Sequence, residues 1–153
     1  MKSSFLENES YKHKMAKEVL KEWFFGGQVI GEVGCSWPNR TCGVYLEYPI
    51  VNDNKYNSVN YTWDEILDGY DDCVPTYAKC VALGIYPKRV IDVVMIQKGQ
   101  PQWFIEICHK NPTSREKIME LELLGVTNLI EIDADWILNQ TCCPDELKYV
   151  RLI

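Results

Sequence analysis

Two acidic residues stand inside runs that otherwise read as buried strands: Asp92 in RVIDVVMIQ and Glu106 in QWFIEICH. A carboxylate is almost never fully buried unless it is paired or holds a metal, because stripping its water is unfavourable by several kcal/mol or more. Two of them a few ångströms apart in a low dielectric repel each other, so one must take up a proton or both must share a cation. Oxygen ligands of this kind suit Mg²⁺ or Mn²⁺, held by one or two carboxylates with waters and a substrate phosphate around them. The chemistry that follows is metal-assisted hydrolysis of a phosphodiester. The plainer alternative is that each carboxylate finds an Arg, a Lys or a backbone partner and serves structure only.

The meeting of the two carboxylates depends on register. Side chains alternate along a strand, which puts Glu106, Cys108 and, if the strand continues, Lys110 on one face, with Trp103, Ile105 and Ile107 on the other. Asp92 shares its face with Val90, Val94 and Ile96. The KGQP segment between the runs reads as a turn, and the simplest arrangement is an antiparallel hairpin. Asp92 faces Glu106 only across an odd-length loop or a bulge, and a three-residue loop at Lys98, Gly99 and Gln100 satisfies this. His109 points away from Glu106 in an ideal strand, and a bulge before Asn111-Pro112 would turn it toward a substrate.

The elements around this hairpin can be read from caps and periodicity. A helix starts at Glu9-Ser10, carries Met15, Val19, Leu20 and Trp23 as its apolar face and ends at Gly26-Gly27. GVYLEYPIV from Gly43 reads as a first strand, again interrupted by a carboxylate, Glu47. Residues from about 53 to 88 form an irregular insertion with short helices in TWDEILDGY and CVPTYAKCVALG. After the hairpin, Thr113 or Ser114 caps a helix through REKIMELELL, Gly125 stops it, and VTNLIEIDA returns as a strand, a crossover of the βαβ kind. A short helix around WILNQ and an extended KYVRLI complete the chain.

The 153 residues, 46% of them hydrophobic, suit one globular domain spanning the chain. There is no apolar run long enough to cross a membrane, and the start MKSSFLENES lacks the apolar region of a secretory signal, so a soluble, intracellular protein is expected. Seven cysteines argue against a secreted disulfide scaffold, and the six-residue gaps in Cys35/Cys42 and Cys73/Cys80 are wider than zinc knuckles use, so structural zinc is not expected. The net charge of -6 excludes a protein that coats nucleic acid through bulk charge. A local contact remains open: Lys14, Lys17 and Lys21 recur at helical spacing, beside Lys12 and His13, and could hold a phosphate backbone. Oligomeric state is not legible.

The order helix, strand, insertion, hairpin, helix, strand resembles the αβββαβ core of the PD-(D/E)xK nuclease superfamily, an α/β, restriction-endonuclease-like fold with a mixed central sheet flanked by helices. More narrowly, Asp92, IEICHKNP, Glu116-Lys117 and GVTNLIEID, with Glu9-Ser10 and His13-Lys14 upstream, resemble the nuclease-like part of competence protein CoiA-like proteins. The resemblance implies a Mg²⁺-dependent deoxyribonuclease with Asp92 and Glu106 as metal ligands and catalytic carboxylates, and Glu9 as a further ligand from the first helix. It also implies DNA as partner. One position departs from the pattern: Cys108 stands where the superfamily has lysine, and a thiol gives no stable positive charge to steady the reacting phosphate. Lys110 or Lys117 is then the expected replacement. A catalytically silent module that binds nucleic acid or a protein partner is the competing expectation.

Overall fold

The computed structural model describes residues 2–24, 29–30, 32–34, 43–52, 57–60, 77–97 and 99–153; the side chains of 2–10, 29, 34 and 77–79 lie outside that description. Its elements are α1 (Lys2–Phe24), β1 (Val29–Ile30), β2 (Val33–Gly34), β3 (Gly43–Ile50), α2 (Tyr77–Ala82), β4 (Arg89–Gln97), β5 (Gln100–Cys108), α3 (Arg115–Leu123), β6 (Leu129–Asp133), α4 (Ala134–Leu138) and β7 (Val150–Arg151). The expected helix in TWDEILDGY falls outside the described residues.

A mixed sheet of five strands in the order β3-β4-β5-β6-β7 organises the chain, and β1 and β2 form a separate two-stranded ribbon. Pairing is antiparallel except between β5 and β6, which run parallel. A parallel pair cannot be joined by a tight turn, and α3 supplies the crossover. Ser114 caps α3 by accepting the Lys117 N–H, and Gly125, at φ 96, takes the left-handed position past its end that a side chain would resist.

Helices cover both faces of the sheet. On one, Ala16, Leu20, Trp23 and Phe24 of α1 and Ala134 and Ile137 of α4 bury Val93, Met95, Ile105, Ile107, Ile130 and Ile132. On the other, Leu121 of α3 and Cys80 of α2 close over Tyr48, Ile50, Ile91, Val94, Ile96, Phe104 and Leu129. No described helix is long and apolar enough to cross a membrane.

Four expectations are corrected here. Helix α1 reaches back to Lys2, so Glu9-Ser10 lies within it; residues 2–9 contain no Gly or Pro to stop propagation. Its inner face runs through His13, Ala16, Lys17, Leu20, Trp23 and Phe24, whereas Met15 is exposed. In the hairpin, Gln97 pairs with Gln100, so the connection is two residues long, Lys98 outside the description and Gly99 at φ 76; a bulge between Met95 and Ile96 then shifts the register. That bulge, rather than a three-residue loop, supplies the odd residue that aligns Val93 with Ile105 and brings Asp92 level with Glu106. Finally, Asp92 does not share a face with Val94 and Ile96, because its carboxylate engages α1 on the opposite side.

Candidate functional site

The site grows from the end of the hairpin where its ladder stops. Pairing of β4 with β5 runs out at Val93 and Ile105. The next free donor on β5, the Ile107 N–H, is taken at 2.8 Å by Asp92 Oδ2 instead of by a β4 carbonyl. A buried N–H must find an acceptor, and here a side chain wedged between two strands provides it. His13 Nε2, from the inner face of α1, lies 3.2 Å from the same Oδ2 and 3.0 Å from the Ile107 carbonyl oxygen.

Glu106 looks the other way. Its neighbours Ile105 and Ile107 face α1, so by alternation its carboxylate turns toward α3. Lys117 reaches it from the first turn of that helix: Nζ lies 2.9 Å from Glu106 Oε1 and donates to the Val90 carbonyl at 3.2 Å. The approach to Oε1 is close but badly angled, and that buried oxygen makes no hydrogen bond. Lys117 is therefore placed to attract the Glu106 carboxylate whenever it ionises, since distance sets the Coulomb attraction, while Oε1 stays unsatisfied because a hydrogen bond also needs direction.

The two carboxyl groups lie within each other's reach and titrate in opposite directions. Burial is the largest single influence on Asp92 and pushes it up, but the His13 hydrogen bond, the Ile107 N–H and the charge of His13 together outweigh it and hold Asp92 below its ordinary value. Burial first, and then the charge of Asp92, pushes Glu106 up to about 8 against the opposing pull of Lys117. Glu106 therefore keeps its proton at neutral pH. His13 is raised, chiefly by its hydrogen bond to Asp92, although burial opposes this. One ionised and one protonated carboxylate side by side is the state expected of a buried, interacting pair.

Around them the sheet adds further polar groups. Glu131 is buried on β6 in register with Glu106 and accepts the Thr113 N–H at the entrance to α3. Cys108 is in register with Asp133, and burial, then the Glu131 carboxylate, pushes its thiol up to about 11. At the position where lysine was expected there is thus a neutral thiol, neither cation nor nucleophile.

The other expected residues scatter. Strand β5 ends at Cys108, and Lys110, exposed and at φ 74, sits in the turn closed by the His109–Asn111 bridge, beyond the face that Glu106 occupies. The cause is Pro112 just after, which cannot continue a ladder. His109 stays on the α1 side, its side chain 8% exposed and Nε2 3.7 Å from Asp135, so little of it is open to a ligand. Lys17 is buried and donates to Glu47 Oε1, which removes it from the proposed phosphate stripe; Lys21 is half-buried and Lys14 exposed. The Glu9 side chain lies outside the description. Sequence reasoning gave His13 no part at the carboxylates; the signal was its spacing of four, seven and eleven residues from Lys17, Leu20 and Phe24, the buried face of one helix.

Among the described residues no group of three or more His, Cys, Asp or Glu side chains is arranged to hold a metal. The donor chemistry nonetheless fits a hard divalent ion: two carboxylates, one with a buried oxygen lacking a hydrogen bond, would replace a proton with a cation and leave the rest of its shell to water. Comparison with protein-family models, with curated proteins and with solved structures finds no match to this chain.

Proposed function

We propose that this chain is a metal-dependent nuclease of the PD-(D/E)xK type, with a restriction-endonuclease-like αβββαβ core, that hydrolyses DNA phosphodiester bonds. The observation that carries the reading is the buried, unsatisfied Glu106 Oε1 beside an ionised Asp92, with a lysine of the following helix 2.9 Å away. Mg²⁺ or Mn²⁺, when bound, supplies an acidified water and neutralises charge on the phosphate. Asp92 and Glu106 hold it, with Glu9 as the further ligand that the resemblance gives. Binding requires Glu106 to release its proton. His13 keeps Asp92 ionised and fixes its direction. Lys117 takes the role vacated at Cys108, holding positive charge where the scissile phosphate would gather negative charge.

A second reading has its own support. The Cys108 thiol, standing where the superfamily has lysine and pushed further toward its neutral form, also suits a silent nuclease-like module that binds nucleic acid or a protein. The two separate on one experiment: titration with Mg²⁺ and Mn²⁺ over labelled single- and double-stranded DNA, with the native chain and Asp92→Ala/Glu106→Ala. Metal-dependent cleavage by the native chain and none by the double variant supports the nuclease. Equal cleavage by both rejects the assignment of Asp92 and Glu106. Metal binding with both substrates left intact favours the silent module.

A further inference from the structure

We infer that Glu47, on the strand next to Asp92, is a positioning residue whose left-handed backbone swings the Asp92 carboxylate out of line with β4 and into the gap at β5. Along β3 and β4 the ladder pairs Gly43 with Ile96 through to Ile50 with Arg89 at constant register, and the only step without a pair joins Glu47 and Asp92. Both strands change face there. Leu46 packs toward α1 but Tyr48 toward α3; Val93 packs toward α1 but Ile91 toward α3. In a regular strand residues two apart share a face, so the pair of strands is twisted over at this step without a residue being inserted.

Glu47 has φ 54, a conformation that L side chains other than Asn and Asp seldom adopt. Such a residue persists only where its surroundings hold it. Lys17 does so by donating to Glu47 Oε1 from the buried face of α1. Four residues earlier, His13 holds Asp92. One helix face therefore grips both sides of the kink, and Asp92, freed from the line of β4, reaches the Ile107 N–H. The consequence for metal binding rests on the proposed function; the geometry does not.

The test compares Glu47→Gly, which adopts a positive φ without strain, with Glu47→Val, which favours a regular strand. Two quantities are measured: the Mn²⁺ dissociation constant by electron paramagnetic resonance, and hydrogen exchange of the Ile107 amide. In Glu47→Val we expect Mn²⁺ binding weakened about tenfold and Ile107 exchange faster by a similar factor, with Glu47→Gly within about threefold of native in both. If Val unfolds the chain, Glu47→Thr makes the same comparison with a less apolar β-branched side chain. Native values in Glu47→Val overturn the inference. So does a Glu47→Gly as impaired as Glu47→Val, since the ion pair and not the backbone would then be the agent. A native chain that binds no Mn²⁺ rejects the proposed function instead, and Ile107 exchange still decides for or against Glu47.

Discussion

Asp92 and Glu106 sit level on neighbouring strands, yet the two faces of the sheet give them opposite surroundings. From the α1 side Asp92 receives an imidazole and a backbone N–H, both directed at one oxygen. From the α3 side Glu106 receives a single ammonium group, close but off-angle, and keeps a buried oxygen unsatisfied. Hydrogen bonds to the charged form hold Asp92 ionised, whereas burial without them favours the proton on Glu106. A structural ion pair would be satisfied on both sides. Here one half is complete and the other open, and on that asymmetry the proposed exchange of a proton for a cation rests.

The sharpest way to break this contrast is to remove the ammonium from the open side. Lys117→Met should lower metal-dependent cleavage by about 10²–10³-fold, the usual loss when one group that stabilises developing charge is deleted. Stability should change by no more than about 1 kcal/mol, because at neutral pH a protonated Glu106 is left behind and not a bare anion. Lys117→Arg should recover part of the rate. Single-turnover cleavage and thermal melting measure both. Full activity in Lys117→Met would move the cationic role elsewhere, and a collapse in stability would show that Glu106 is ionised in the resting protein.

The second prediction concerns that proton directly. Glu106 has a folded value near 8 against an ordinary 4.5, so the folded chain binds more protons than the unfolded one between those values. Its favourable contribution is complete below about 4.5 and is lost as pH rises through 8. Glu106→Gln imitates the protonated acid, including the donor that faces Asp92, and does not titrate. Relative to native, the variant should gain stability on going from pH 5 to pH 9, by an amount on the order of a few kcal/mol. Denaturant unfolding across that range is the measurement; parallel curves for the two chains would mean that Glu106 ionises normally. Saturating Mg²⁺ should flatten the native curve by replacing the proton.

Local signals made the frame of this site legible and its working geometry not. The strands around Asp92 and Glu106, the Ser114 cap, the Gly125 stop and the return of β6 all follow from residues within a few positions of one another. Register was only half legible. The sequence states the condition under which Asp92 meets Glu106, but not that a bulge opposite Met95 and Ile96 meets it: the extra residue is Gln102, and the Pro101 beside it reads equally well as part of the KGQP turn. The face change at Glu47 and Asp92 was invisible for a related reason: it is held by Lys17 and His13, about 30 and 79 residues away from their partners. Lys17 itself shows how a charge at helical spacing reads as a solvated stripe until the helix is docked and that side chain proves to point inward.

The smallest effect tests the completed side. His13 is raised by its hydrogen bond to Asp92, so its contribution is full below the ordinary value of 6.5 and is lost as pH rises through the folded one. His13→Asn should therefore destabilise the chain more at pH 5 than at pH 9. The difference should be no more than about 1 kcal/mol, since the His13 side chain is 32% exposed and solvent screens the pair. The same change removes the main hydrogen bond holding Asp92 down, so Asp92 should rise while Glu106, which feels its charge, should fall. Carboxyl resonances followed by NMR through an acid titration would show the two shifts together. Opposite movement of the two groups would establish that the sheet couples its two faces through this pair; movement of Asp92 alone would reduce His13 to a local partner and leave the open side of the site independent of it.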